Sequence, residues 1–410
     1  MFHYFQKQID TACEIAKFDA DFLEYITKPN HIHQMNFSVK LSDGKVHNFD
    51  AFRVQHNNLA GPYKGGLRFS KNLDLDEAQT LGAWMTIKTA VLNLPLGGGK
   101  GGIKLDPKKL SFDDKEKITR KYVQLMANNI GPDIDIPAPD MYTNASIMAV
   151  ATDEILKIKG HNALGTFTGK PIALGGIPGR SEATALGGII VLEQHLKDQG
   201  QGLHGKKVII QGMGNAGINA AEILSQKGAT IIGVADSKGG LYKSDGLVLD
   251  SLISCKIAGN SVQNCEVNKG EAIHLSSQEI LEQEADILVL AALENVITED
   301  NADKIQAKLL LELANGPITP EADAILDKAN VTILPDILAN AGGVTVSYFE
   351  YVQNKNNDVS TIETVHQRLE EFMIDAYRAV KNQSQKYSCN IRQGSYIIAL
   401  KRLEKLFQIR

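Results

Sequence analysis

Gly212-Met213-Gly214-Asn215-Ala216-Gly217 is the stretch on which the fold turns. The pattern GxGxxG is weak alone and takes its meaning from its flanks. Lys207 to Gln211 reads as an apolar strand, Ile218 to Gln226 as a helix, and Ala229 to Ala235 as a second strand running into Asp236. In that setting the first glycine makes a tight turn, the second admits a pyrophosphate to the backbone, and the third lets helix and strand approach closely. The free N–H groups of the helix N-terminus then receive the phosphate charge. Asp236, 19 residues beyond Gly217, is spaced to accept hydrogen bonds from an adenosine ribose and to repel a 2′-phosphate. NAD is the preferred dinucleotide on this reading. NADP is not excluded, because Lys238 can offset part of the carboxylate charge.

Around this unit, residues 205–335 alternate apolar runs with helix-length segments, among them Ile231-Ile232-Gly233-Val234, Ile287-Leu288-Val289-Leu290 and Leu309-Leu310-Leu311. That rhythm predicts a parallel sheet covered on both faces. Residues 1–170 differ: short β-like runs carry Val39, Leu41, Phe49, Phe52 and Val54, with Asp43-Gly44 as a hairpin turn. Helical spacing returns over Thr361 to Lys381 and over Ile397 to Leu406.

The chain has 410 residues, 43% hydrophobic, which bounds it at two or three domains with ample core. A formal net charge of −5 gives no support for a nucleic-acid or anionic-membrane partner. The four cysteines, Cys13, Cys255, Cys265 and Cys389, are scattered and form no CxxC, so the expectation is reduced, buried thiols and no metal site. The N-terminal residues lack the features of a secretory or transit peptide, and no run approaches the roughly 18 apolar residues of a membrane span. A cytoplasmic location is expected.

The first half carries an unusual set of cations. Lys100 stands among five glycines in Gly97-Gly98-Gly99-Lys100-Gly101-Gly102. Glycines let other groups approach the main chain, and a lysine stripped of water loses proton affinity and becomes usable in chemistry near neutral pH. A flexible glycine-rich loop carrying a charge is the alternative. Lys88 is the only charged residue in 78–93; Leu81, Met85, Lys88 and Leu92 share one helical face, so this lysine must find an anion, neutralise, or snorkel out. Lys64 lies in Gly61-Pro62-Tyr63-Lys64-Gly65-Gly66-Leu67-Arg68-Phe69, read as a loop. Asp140 follows Pro137-Ala138-Pro139, whose fixed backbone positions its carboxylate rigidly, for chemistry or as a turn or helix cap. Neither Lys100 nor Lys170 completes the GxxxxGK[ST] of a P-loop ATPase.

Together these segments resemble the Glu/Leu/Phe/Val amino-acid dehydrogenase family and, within it, the glutamate dehydrogenases, from about Phe37 to the C-terminus. The resemblance is carried by GPYKGGLRF (61–69), MTIKTA (85–90), LPLGGGKGG (94–102), IGPDIDIPAPD (130–140), GR..AT (179–184), the GMGNAG turn, LANGPITPEAD (313–323) and PDILANAGGVTVSYFE (335–350). It implies that Lys88 binds the substrate α-carboxylate, that Lys64 and Ser347 receive a γ-carboxylate, and that Lys100 and Asp140 perform the acid–base chemistry. Thr184 and Asn215 would contact the nicotinamide end of the dinucleotide and Asn315 the nearby ribose. The implied reaction is reversible oxidative deamination of L-glutamate. Like-charge repulsion from Lys64 and Lys88 is expected to depress Lys100.

The expected fold class is α/β. A substrate-binding and assembly domain would span 1–175, with the C-terminal helices of 350–410 packing back on it. A Rossmann-like domain would span 180–345, with the active site in a hinged cleft. The resemblance implies a homohexamer. A leucine, valine or phenylalanine dehydrogenase is the rival within the family, opposed by Lys64 and Ser347. A non-catalytic regulatory relative is the rival outside it, opposed by the retention of Lys88, Lys100 and Asp140. Gly175-Gly176-Ile177-Pro178-Gly179-Arg180 and Met141-Tyr142 depart from the usual family pattern near the nicotinamide.

Overall fold

Alternating side chains across 31–57 dictate a hairpin. The computed structural model, which describes residues 2–267 and 271–410, contains it: β1 (His31–Lys40) pairs antiparallel with β2 (Val46–Asn57), and Gly44 takes φ +79° in the turn. β3 (Tyr63–Ser70), β4 (Gly98–Lys104) and β5 (Asp135–Pro139) complete a five-stranded mixed sheet in the order β1-β2-β4-β3-β5. Phe49 and Ala51 point to one face of β2, where they join Phe37, Leu67, Phe69 and Ile103 beneath Ile118, Tyr122 and Met126 of helix Phe112–Met126 and Ile147 and Met148 of helix Ala145–Lys159. Phe52 and Val54 point to the other face and meet Ala78 of helix Leu75–Val91.

The Lys64 segment, read as a loop, is strand β3, and the glycine-rich stretch around Lys100, for which a flexible loop was the alternative, is the buried central strand β4. Steric necessity explains the glycines. A Cβ on Gly98 would fall 2.2 Å from the backbone N and the Oγ1 of Thr86, because helix Leu75–Val91 lies directly on the strand.

The second sheet has seven strands: β6 (Lys207–Gln211), β7 (Thr230–Asp236), β8 (Gly239–Tyr242), β9 (Ile273–Leu275), β10 (Ile287–Leu290), β11 (Leu309–Glu312) and β12 (Thr332–Leu334). Their order is β12-β11-β10-β6-β7-β8-β9, and the five apolar strands read from the sequence pair in parallel. β8 and β9 add an antiparallel edge that the sequence does not announce, since one is glycine-rich and the other largely exposed.

The chain divides into two compact units. One comprises 1–180, 344–367 and 396–410; the other comprises 181–343 and 368–395. The C-terminal region is therefore split, where the sequence reading sends all of 350–410 to the first unit. Polar contacts hold 368–395 within the second: Tyr377 with His195, Lys381 with Asp198, and Arg392 with Glu312 and Asp323.

The expectation of four free thiols is corrected. Cys255 and Cys265 form a disulfide, because the end of helix Leu249–Ile257 and the turn after it bring their Cα atoms to 5.7 Å. Cys13 and Cys389 remain free and partly buried. Among the described residues no helix is long and apolar enough to cross a membrane.

Candidate active site

On β3, side chains at i, i+2 and i+4 share a face, which places Lys64, Gly66 and Arg68 on one side of the strand. β3 lies between β4, which carries Lys100, and β5, which ends one residue before Asp140. Gly66 is the gap in which they meet: a Cβ there would fall 2.6 Å from Asp140 Cβ and 3.3 Å from Lys100 Nζ. Lys100 Nζ lies 3.1 Å from Asp140 Oδ2, and Arg68 Nε donates to the same oxygen at 2.6 Å. Arg68 is braced in turn by Glu77 of helix Leu75–Val91. Lys88 is buried on that same helix.

The electrostatics follow from burial. Desolvation lowers the proton affinity of the Lys100 ammonium, Asp140 opposes the shift, and Arg68 and Arg53 reinforce it. The repelling neighbours are thus two arginines, where Lys64 and Lys88 were expected. Burial pushes the Asp140 carboxyl up, but Lys100 and Arg68 more than offset it and hold the group at about 2. Asp140 is an anion at working pH, able to accept a proton rather than to supply one.

A second cationic centre adjoins on the same unit. Lys64 is 1% exposed, and its ammonium donates to Ile136 O at 3.2 Å. Burial, then the charges of Arg180 and Arg53, bring it down to about 7. Ser347, buried in helix Gly342–Asn356, accepts a hydrogen bond from Arg180 Nε at 3.1 Å. One helical turn on, Glu350 accepts from Lys170 Nζ at 2.7 Å and from Gly169 N–H at 2.8 Å, which anchors the helix and so fixes Ser347. Arg53 and Asp135 form a fully buried pair behind β3, and Arg53 also donates to Gly66 O at 3.2 Å. Arg68 and Arg180 were missed as site residues, although both stand in the segments quoted above. The alternation of β3 was the available signal for Arg68; Arg180 has none without the fold.

The second unit carries the GxGxxG turn. Gly212 takes φ +104°, which makes the turn out of β6, and a Cβ on Gly217 would lie 1.7 Å from Gly212 O. Gly214 caps helix Asn215–Gln226, and a Cβ there would meet nothing within 4 Å. The second glycine therefore fronts open space at a helix N-terminus, a cradle shaped for an anion. Asn215 donates to Ser181 O at 2.7 Å, Thr184 stands in the first turn of helix Ala183–Asp198, and Asn315 Oδ1 accepts from Asn340 at 3.0 Å. Asp236 ends β7. These residues fit a dinucleotide: glycines for the phosphates, amides beyond them, a carboxylate for a ribose.

Comparison with known proteins agrees in both units. Residues 29–157 match the family model described as Glu/Leu/Phe/Val dehydrogenase, dimerisation domain, and residues 175–410 match Glutamate/Leucine/Phenylalanine/Valine dehydrogenase. The NAD-specific glutamate dehydrogenase of Staphylococcus aureus (strain COL) is 43% identical over 385 residues, 94% of this chain and 92% of that one. Among solved structures, the hetero-hexameric glutamate dehydrogenase of Thermus thermophilus (Leu bound form) superposes with TM-score 0.94 at 35% identity, covering 99% of this chain and 96% of that one. The glutamate dehydrogenase of Peptoniphilus asaccharolyticus superposes with TM-score 0.86 at 37% identity, covering 99% and 98%.

Proposed function

Because the chain belongs to the Glu/Leu/Phe/Val dehydrogenase family, we infer that it is an NAD-dependent glutamate dehydrogenase that reversibly converts L-glutamate to 2-oxoglutarate and ammonia. The observation that carries the substrate is Lys64, a buried ammonium beside the Arg180–Ser347 pair. A leucine, valine or phenylalanine side chain would leave that cation desolvated and unpaired, whereas a γ-carboxylate neutralises it.

The chain's residues then divide the work. Lys88 holds the α-carboxylate. Lys64 and Ser347 hold the γ-carboxylate, with Arg180 fixing the Ser347 hydroxyl through Oγ. Asp140, kept anionic by Lys100 and Arg68, accepts the proton of the substrate ammonium. A bound nicotinamide would supply the acceptor for the Cα hydride, the substrate thereby becoming 2-iminoglutarate. Lys100, with its lowered proton affinity, takes a proton from water as that water attacks the imine carbon. Asp140 returns its proton to nitrogen, ammonia leaves, and the carbinolamine hydroxyl gives its proton to solvent as the carbonyl of 2-oxoglutarate forms. Gly212, Gly214 and Gly217 shape the pyrophosphate cradle, Thr184, Asn215 and Asn315 face the nicotinamide end, and Asp236 accepts from the adenosine ribose.

Asp236 and the NAD-specific relative both favour NAD over NADP. A cytoplasmic homohexamer is the assembly we assign, in keeping with the dimerisation-domain match and a hexameric structural relative. Formation of NADH and NADPH is measured with glutamate, leucine, valine and phenylalanine side by side, and mass photometry counts subunits. Activity confined to glutamate with NAD supports the reading; faster turnover of leucine, or none with any amino acid, removes it.

A further inference from the structure

Three donors hold the Asp236 carboxylate: Lys238 N–H on Oδ1 at 2.9 Å, and Val262 N–H at 2.8 Å and Lys256 Nζ at 2.6 Å on Oδ2. A carboxylate has about four acceptor positions, so the remaining capacity lies on Oδ1. Two of the three donors come from one short segment. Lys256 lies at the end of helix Leu249–Ile257, and Val262 opens the turn Val262–Asn264. The Cys255–Cys265 disulfide closes that segment, ten residues apart, and Cys255 directly precedes Lys256. Lys256 Nζ also donates to Asn260 O at 2.8 Å within it. Gln263 sits against the turn that follows Asp236, since a Cβ on Gly239 would lie 2.0 Å from its Nε2. The side chains of Lys256 and Asp236 are 13% and 15% exposed, too enclosed for solvent to screen the pair as it screens a surface one.

We propose that the disulfide-closed segment 255–265 is a coenzyme-discriminating clamp in which Lys256 is the specificity-determining residue. The proposal rests on the assignment of Asp236 to the adenosine ribose. Alone, the carboxylate repels a 2′-phosphate with a full charge. With Lys256 against Oδ2 that charge is largely cancelled, so the ammonium sets how strictly NADP is refused. Val262 N–H and Lys238 N–H fix the orientation in which Oδ1 meets a ribose hydroxyl. The crosslink keeps Lys256 and Val262 converged on one oxygen. A dithiol can open it: its thiolate attacks one sulfur, its second thiol resolves the mixed disulfide, and two electrons and two protons pass to Cys255 and Cys265 as the reductant leaves as a disulfide.

The test uses the full-length enzyme and compares kcat/KM with NAD and with NADP. Lys256→Met raises the NAD:NADP ratio about tenfold, through a higher KM for NADP, because an uncompensated carboxylate then faces the phosphate. Lys256→Arg restores the ratio. Equal losses with both coenzymes overturn the assignment of Lys256 and leave it a structural contact. Asp236→Ser separates the underlying reading: a ratio unmoved by that change shows that Asp236 is not at the coenzyme, whatever Lys256 does. For the crosslink, dithiothreitol treatment with both thiols counted by alkylation raises the KM for NAD about threefold as the carboxylate loses its fixed orientation. Cys265→Ser shows the same rise and no response to dithiothreitol. A reduced enzyme whose KM for NAD does not move overturns the clamp.

Discussion

Lys100 Nζ and Arg68 Nε converge on a single oxygen, Oδ2 of Asp140, at 3.1 and 2.6 Å. Two cations on one carboxylate keep it ionised, while burial weakens the hold of the lysine on its own proton. One pair of neighbours thus favours the charged form of the carboxylate while burial disfavours that of the lysine, which suits the separate acid–base roles proposed for them.

Lys100→Ala removes the group that, on the proposed mechanism, activates water. We expect kcat to fall by at least about 10²-fold, with the dissociation constant for NADH, read by fluorescence, changed less than about twofold since the coenzyme residues lie elsewhere. Near-native kcat would remove Lys100 from the mechanism.

Arg68→Met leaves Lys100 as the only partner of Asp140 among the three. The Asp140 carboxyl loses a stabilising charge and rises from about 2. The acidic limb of the kcat profile, measured from pH 3 to 9, therefore moves to higher pH. A limb that stays in place would show that it does not report Asp140.

Substrate choice is tested at Lys64. Lys64→Leu lowers kcat/KM for glutamate by about 10²-fold or more, the cost of removing a charged partner from a desolvated carboxylate, and leaves NADH binding in place. Arg180→Leu moves the same parameter in the same direction through Ser347.

The same lysine predicts a stability signature. Its value falls from 10.5 to about 7 on folding. Between those limits the unfolded chain binds more protons than the folded one, so this residue's contribution to stability rises with pH across that window. Below pH 7 the lysine is charged in both states and the cost of burying it is fully present. Lys64→Met should therefore gain more Tm at pH 6 than at pH 9, by differential scanning calorimetry; an equal gain at both would place Lys64 in contact with water.

The glycines of the dinucleotide turn separate packing from binding. Gly217→Ala drives a methyl group onto Gly212 O at 1.7 Å and should destabilise the second unit by about 1–3 kcal/mol. Gly214→Ala meets nothing within 4 Å, so Tm is kept while the KM for NAD rises.

What the sequence discloses depends on range. The five parallel strands were legible because apolar runs and their spacing are local properties, and Lys88 was legible as a buried charge because one charge on an apolar helix is an anomaly in a single window. β8 and β9 were not, since neither carries an apolar run. The glycines around Lys100 signalled close approach but not from what; that Thr86 is the neighbour, and that the segment is a strand, depends on contacts made by a helix that ends seven residues before it. Arg180 and Ser347 stand 167 residues apart, and no local pattern records that they touch. The disulfide was overlooked because a spacing of ten residues becomes a short distance only after a helix turns back.

The Lys100 ammonium rides on the third of five strands, hemmed by β2, β3 and a helix that touches its glycines. Most enzymes diversify by trading surface loops, and that route is closed at this lysine. A one-residue insertion in β4 ahead of Lys100 would shift the hydrogen-bond register with both neighbours and turn Lys100 to the opposite face. On the proposed assignment, new substrates come instead from exchanging individual side chains at Lys64, Arg180 and Ser347, around Lys100 and Asp140 held in place.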